Sequence, residues 1–219
     1  METLRTCTGQ PIQVLDVTDD RLAEVLRTLS DDTCWTNFER RLTGALLRVY
    51  DLRPTRMRLD SPTASGYWEV TEDGLFQFGH RKDRRPDRPQ VKVMLATLDP
   101  LGLPIATDLL SGQRADAPLY LPAIARGRAS VPQRGLLYVG ACKMGALATR
   151  AGLHAGGAFY VYPLAAVQVP RALLDQYLTE AQASGPAVPV ERTRADGTVE
   201  RIANAYERTE TLTAVVHTC

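Results

Sequence analysis

VKVMLATLDPLGLPIAT, residues 91–107, decides the fold. Val91 to Leu98 reads as a buried strand, and Asp99-Pro100-Leu101-Gly102 is turn chemistry that returns the chain through Pro104 to Leu110 as a hairpin. Upstream, Arg56-Met-Arg-Leu-Asp60 alternates in polarity and predicts a short strand ending on a carboxylate. Trp68–Val70 and Leu75–Phe78 read as two further short strands around the turn Glu72-Asp73-Gly74, which completes an antiparallel meander. Downstream the texture changes. Pro118–Arg128 predicts a helix with Pro118 near its start, Leu136–Val139 a strand, Gly145–Leu153 a helix entered through Gly140, and Phe159–Pro163 a further strand. A meander followed by strands alternating with helices predicts an α/β fold, a mixed sheet covered by helices.

Both flanks read differently from this core. Leu22, Val25, Leu26 and Leu29, then Phe38, Leu42, Leu46 and Leu47, recur at helical spacing, so two helices are expected between Asp19 and Tyr50, with Ser30–Thr33 supplying the break and a cap. Beyond Leu164, Arg171–Gln182 predicts a helix, Ser184–Pro189 a linker, and Glu191–Val216 a polar, β-branched segment around Asp196-Gly197. That tail has few large apolar residues and is expected to need a partner or further sequence for stability. The predicted organisation is a helical segment at 1–50, a core at 51–164 and a third segment at 165–219.

With 219 residues, 44% of them hydrophobic, the chain can bury a core. Its net charge of +1 conceals a strongly local distribution. Asp16, Asp19, Asp20, Glu24, Asp31 and Asp32 make the start acidic, whereas Phe78–Gln90, FGHRKDRRPDRPQ, packs Arg81, Lys82, Arg84, Arg85 and Arg88 beside the core strand. Such a run suits polyanions through salt-sensitive, largely sequence-independent phosphate contacts. Its plainer role is a solvated hairpin neutralised by Asp83 and Asp87. Cys7, Cys34, Cys142 and Cys219 are widely spaced, without a C-x-x-C pair or an apolar leader, so reduced thiols and a cytoplasmic location are expected. No apolar stretch reaches the roughly 18 residues of a membrane span.

Three sites are candidates for chemistry. Asp60, at a strand end, is suited to hold a metal ion, and equally suited to cap Ser61-Pro62-Thr63. Gly140-Ala-Cys142-Lys143-Met-Gly145, between a strand and a helix, has the outline of a nucleophile elbow, which would make the chain a Cys142 thiol hydrolase. His154 follows in the loop after that helix, with no reason to face the sulfur. His80 lacks a metal-ligand partner at close spacing, and Lys143 reads either as a phosphate contact or as a surface lysine.

Taken in order, the strings Asp19-Asp-Arg-Leu22, Arg58-Leu-Asp60, Phe78-Gly-His80, Lys82-Asp83, Arg85-Pro-Asp87, Leu98-Asp-Pro-Leu-Gly102, Ser111-Gly112, Leu119-Tyr-Leu-Pro122, Leu137-Tyr-Val-Gly140, Lys143-Met144 and Ala148-Thr-Arg150 resemble bacterial insertion-sequence DDE transposases of the IS-four-like superfamily. The resemblance runs from about Asp16 to the C-terminus. It implies a ribonuclease-H-like mixed sheet flanked by helices, with an N-terminal helical segment and the start of a β-rich insertion domain. It also implies two aspartates and a glutamate binding two Mg2+ ions that drive nicking of transposon ends and strand transfer into target DNA. The implied partners are those DNAs, touched by Arg81, Lys82, Arg84, Arg85 and Lys143, together with a second copy in a homodimer.

Carried over by position, Asp60 is the first aspartate, catalytic and metal-binding. The second, expected after the glycine of Tyr-Val-Gly-Asp-x-Lys-Met, is replaced by Ala141, which has no oxygen to offer a hard cation. The glutamate is expected in Tyr-x2-Arg-x3-Glu-x6-Lys. Tyr160, Tyr162, Tyr177 and Tyr206 are followed three residues later by Pro163, Ala165, Glu180 and Thr209, so none fits. The expectation is a truncated or decayed copy, part of a longer transposase, that binds magnesium unproductively and does not catalyse. A fragment that binds only DNA or transposase subunits is the alternative.

Overall fold

The computed structural model describes residues 9–79, 87–131, 133–209 and 211. Two side-chain caps set the first helices. Thr18 accepts the Arg21 backbone N–H at 3.4 Å to open α1 (Asp19–Leu29), and Asp31 accepts that of Cys34 at 2.9 Å to open α2 (Asp32–Val49). The chain then forms β1 (Arg56–Asp60), β2 (Thr63–Ser65), β3 (Gln90–Leu98) and β4 (Leu103–Ser111). After them come α3 (Tyr120–Ser130), β5 (Leu137–Gly140), α4 (Leu147–Ala155), β6 (Phe159–Val161), α5 (Arg171–Ser184), β7 (Val188–Thr193) and β8 (Val199–Ala205).

The first six strands make one sheet, and β3 organises it. β4 runs antiparallel along one edge of β3, while β1 and β2 occupy successive lengths of the other, opposite Leu95–Leu98 and Gln90–Lys92. On its far side β1 pairs in parallel with β5, and β5 in parallel with β6. The order is therefore β4-β3-β1-β5-β6, and β3 alone runs against the other strands. Parallel neighbours require crossovers, which α3 and α4 supply. This is the ribonuclease-H-like mixed sheet with flanking helices that the sequence leads one to expect.

The core lies between the sheet and its helices, and the strand alternation explains its membership. Met57 and Leu59 of β1, Met94, Ala96 and Leu98 of β3, Ile105 of β4 and Tyr138 of β5 are buried against Tyr120 and Ile124 of α3 and Leu153 of α4. Helix α3 comes closest over Met57 at Gly127, where a Cβ would stand 2.9 Å from the Met57 sulfur. Polar clamps join the layers. Trp35 on α2 donates its indole N–H to the Thr107 carbonyl at 3.1 Å, and Arg126 on α3 bonds Glu39 of α2 at 2.6 Å while pairing with Asp108 of β4. At the start of β1, Arg58 grips Asp99 through two hydrogen bonds of 2.7 and 2.9 Å, which holds the Asp99 carboxyl below its usual range.

Three expectations need correction. Trp68–Val70 and Leu75–Phe78 are not strands. The Gln77 amide donates to the carbonyls of Thr71 at 2.6 Å and Gly74 at 3.1 Å, and Trp68 stacks on Phe76 with ring centroids 4.3 Å apart, so the segment closes on itself. Of those residues only Gln77 reaches the sheet, bridging Gln90. The expected linker at Ser184–Pro189 is shorter, because α5 runs to Ser184 and β7 begins at Val188. The helix after Gly140 starts at Leu147, because Cys142–Gly145 is a tight 3-10 turn. The turn at Asp196-Gly197 joins β7 to β8 as expected, in a separate two-stranded sheet whose side chains are almost all exposed.

Candidate functional site

Parallel strands present their carboxyl ends on one side of a sheet, the usual location of chemistry in open α/β folds. Here β1 and β5 are adjacent, with Leu59 opposite Gly140, so Asp60 and Ala141 follow as the next residues of neighbouring strands. The sequence-predicted first and second positions are thus brought together. Asp60 is exposed, and its Oδ1 accepts the backbone N–H of Ser61 at 2.8 Å, so it also fills the plainer capping role. Ala141 offers only a methyl group, and its carbonyl accepts the Met144 N–H at 2.9 Å to open the 3-10 turn. Gly140 is required there, because a Cβ would lie 2.7 Å from the Met144 sulfur as the turn folds back over the strand.

Three further residues belong to this rim, and sequence reasoning missed them. Tyr120 opens α3, is 1% exposed, and has its phenol pushed up to about 12, first by burial and then by the negative charge of Asp60, Asp116 and Cys142. Lys92 is buried on β3 and forms an ion pair with Asp116, whose Oδ1 also accepts the Ser61 hydroxyl at 3.4 Å. A single lysine inside the apolar run Val91–Leu98 was the available signal, since a buried ammonium needs a carboxylate. Tyr120 lay within one of the family-like strings but carried no chemical mark of its own.

No protein-family model matches the chain. No curated protein matches it. Among solved structures it is similar to the protein of the Mos1 strand transfer complex, at 17% identity and a TM-score of 0.32, with 68% of this chain and 54% of that one covered. It is also similar to the Mos1 mariner paired-end complex with Mn (15%, 0.32, 84% and 70% covered) and to the Mos1 transposase catalytic domain with raltegravir and Mg (16%, 0.32, 68% and 72% covered). The chain spans about half the length of the first of these. Likeness at such scores defines neither a family nor an activity.

The remaining candidates are only partly assembled. Lys143 is exposed on the turn directly after Ala141, at the same end of the sheet as Asp60. Cys142, a half-buried free thiol, sits on that turn too, while His154 lies in the last turn of α4, roughly 10 Å of helix from its first residue. The elbow's thiol and the imidazole therefore flank opposite ends of one helix. Arg81, Lys82, Arg84, Arg85 and His80 lie outside the described residues, as do Cys7 and Cys219. Among the described residues no helix is long and apolar enough to cross a membrane.

A two-magnesium centre needs several carboxylate oxygens converging on one point. Among the described residues no three His, Cys, Asp or Glu side chains stand close enough to hold a metal ion. Ala141 supplies nothing where a second carboxylate would face Asp60, and Asp116 is engaged by the Lys92 ammonium. The residues present do not fit the metal pair.

Proposed function

We propose that this chain is the core of an insertion-sequence transposase, built to engage DNA, that does not cleave it. The observation that carries this reading is the pairing of Asp60 with Ala141 at the adjoining ends of β1 and β5. The strands stand where metal-assisted phosphodiester cleavage would be centred, but only one carries a carboxylate. The ordered sequence strings support the lineage, and the organisation into a helical segment at 1–50, a core at 51–164 and the beginning of an insertion domain at 165–219 belongs to the same proposal. With one carboxylate, activation of the attacking oxygen and stabilisation of the leaving oxygen have no pair of ions to act through.

What remains is affinity for phosphates, assigned to Arg81, Lys82, Arg84, Arg85 and Lys143. Phosphate contact by these side chains makes binding steeply salt-dependent and nearly indifferent to sequence. The test is a supercoiled-plasmid assay of the full chain with Mg2+ or Mn2+, run beside a gel shift on duplex DNA at low salt. Binding without nicking is expected, and so is no nicking after Ala141→Asp, because the glutamate pattern is absent from the sequence. Metal-dependent nicking by the unaltered chain would refute the inactive reading, and absence of any shift would refute the binding one.

A further inference from the structure

Helix α1 is amphipathic, yet none of its residues is buried. Leu22, Val25 and Leu26 are 51%, 53% and 67% exposed on one face, and Val14 and Leu15 in the turn before it are 71% and 73% exposed. A helix of this length is marginal in water unless its apolar stripe is covered. Beside it, α2 leaves Phe38 and Leu42 half exposed, and between the helices runs an open groove of about 630 Å³ lined by Leu29, Phe38, Leu42 and Arg41. The N-terminal segment therefore exposes both an apolar ridge and an apolar groove.

Charge selects the occupant. From Val14 to Leu29 the segment carries Asp16, Asp19, Asp20 and Glu24 against Arg21 and Arg27, and Arg21 is already paired with Glu24 at 3.6 Å. An acidic ridge repels phosphate backbones and anionic lipid headgroups, which argues for a protein surface that is apolar and basic. The groove of the same chain has that character, because Arg41 lines it and Arg40 lies next to it on α2. On a helical projection Asp19 lies beside the Leu22–Leu26 stripe, placing its carboxylate at the edge of any such contact.

We propose that the chain forms a two-fold homodimer in which α1 of each copy lays Leu22, Val25 and Leu26 into the groove of the other, with Asp19 meeting Arg41 across the contact. A two-fold axis makes the exchange reciprocal, so ridge and groove are both covered twice in one closed assembly. The contact lies apart from the Asp60 rim and does not depend on any activity there.

The test is sedimentation equilibrium of the full chain and of variants at exposed positions, with circular dichroism to verify folding. The unaltered chain is expected to be a dimer and Leu26→Glu a monomer with the same spectrum. Asp19→Arg and Arg41→Glu should each weaken dimerisation about tenfold, the effect of losing one cross-interface charge pair of about 1.4 kcal/mol, and the double variant should recover it. A chain that is monomeric throughout the concentration range overturns the proposal, as does a dimer indifferent to Leu26→Glu or a double variant as weak as the singles. Binding of duplex DNA or anionic vesicles that Leu26→Glu abolishes in a monomeric chain would assign the face elsewhere and overturn it too.

Discussion

β1 and β5 lie side by side, parallel and in register, and agree in everything except their ends. Met57 of one strand is the register partner of Tyr138 of the other, and both are buried. One residue beyond the last register pair, β1 continues into Asp60 and β5 into Ala141. The difference teaches that two sets of positions answer to different demands. The inward residues hold the sheet whatever stands at the rim, because burial and packing do not depend on the rim carboxylates. Chemistry depends on the rim alone.

The largest effects are therefore expected inside the strands. Met57→Ala and Tyr138→Ala should each destabilise the chain by about 3–4 kcal/mol through lost burial and a residual cavity. Because the two side chains occupy neighbouring register positions, the double variant should cost less than the sum, which urea denaturation of all four proteins would reveal. Full additivity would mean that β1 and β5 do not share one packed unit.

Next comes the ion pair under the rim. Lys92→Met leaves Asp116 without its cation and is expected to cost about 3 kcal/mol, whereas Lys92→Met with Asp116→Leu should regain most of that loss in the same denaturation experiment. A single variant as stable as the parent would show that the pair is solvated and not part of the core.

A smaller, pH-dependent effect belongs to Tyr120. Its phenol ionises near pH 10 in the unfolded chain and at about 12 in the folded one. The folded state therefore retains its proton where the unfolded state loses it, so this contribution is complete below pH 10 and is lost as pH rises toward 12. Thermal melts between pH 9 and 12 should show a falling Tm that Tyr120→Phe flattens. The smallest change is expected at the exposed rim, where Asp60→Asn should leave the urea midpoint within experimental error, since surface substitutions outside buried networks rarely matter.

Much of this arrangement was legible in the sequence, and the exceptions have physical causes. The alternation in Arg56–Asp60 and the apolar run from Val91 report burial directly, because strand side chains alternate between faces. Asp31 announced the break between the first helices through the chemistry of a cap. The aromatic-rich stretch 66–78 misled, because Trp68, Phe76 and the Gln77 amide satisfy one another locally, and a pattern rich in strand-formers does not reveal that closure. The site divides in the same way. Asp60 and Ala141 were readable as identities within motifs, but their adjacency comes from the parallel register of two strands far apart in sequence. The Lys92–Asp116 pair joins residues 24 positions apart and leaves no periodic trace.

The central claim is that the sheet persists while the site at its rim has lost the means to hold a metal pair. A crystal of the full chain soaked in Mn2+ and measured for anomalous scattering tests it most directly. The expected result is no pair of manganese peaks beside Asp60. Two peaks roughly 3.5–4 Å apart at the ends of β1 and β5, the spacing of a working two-metal site, would contradict it.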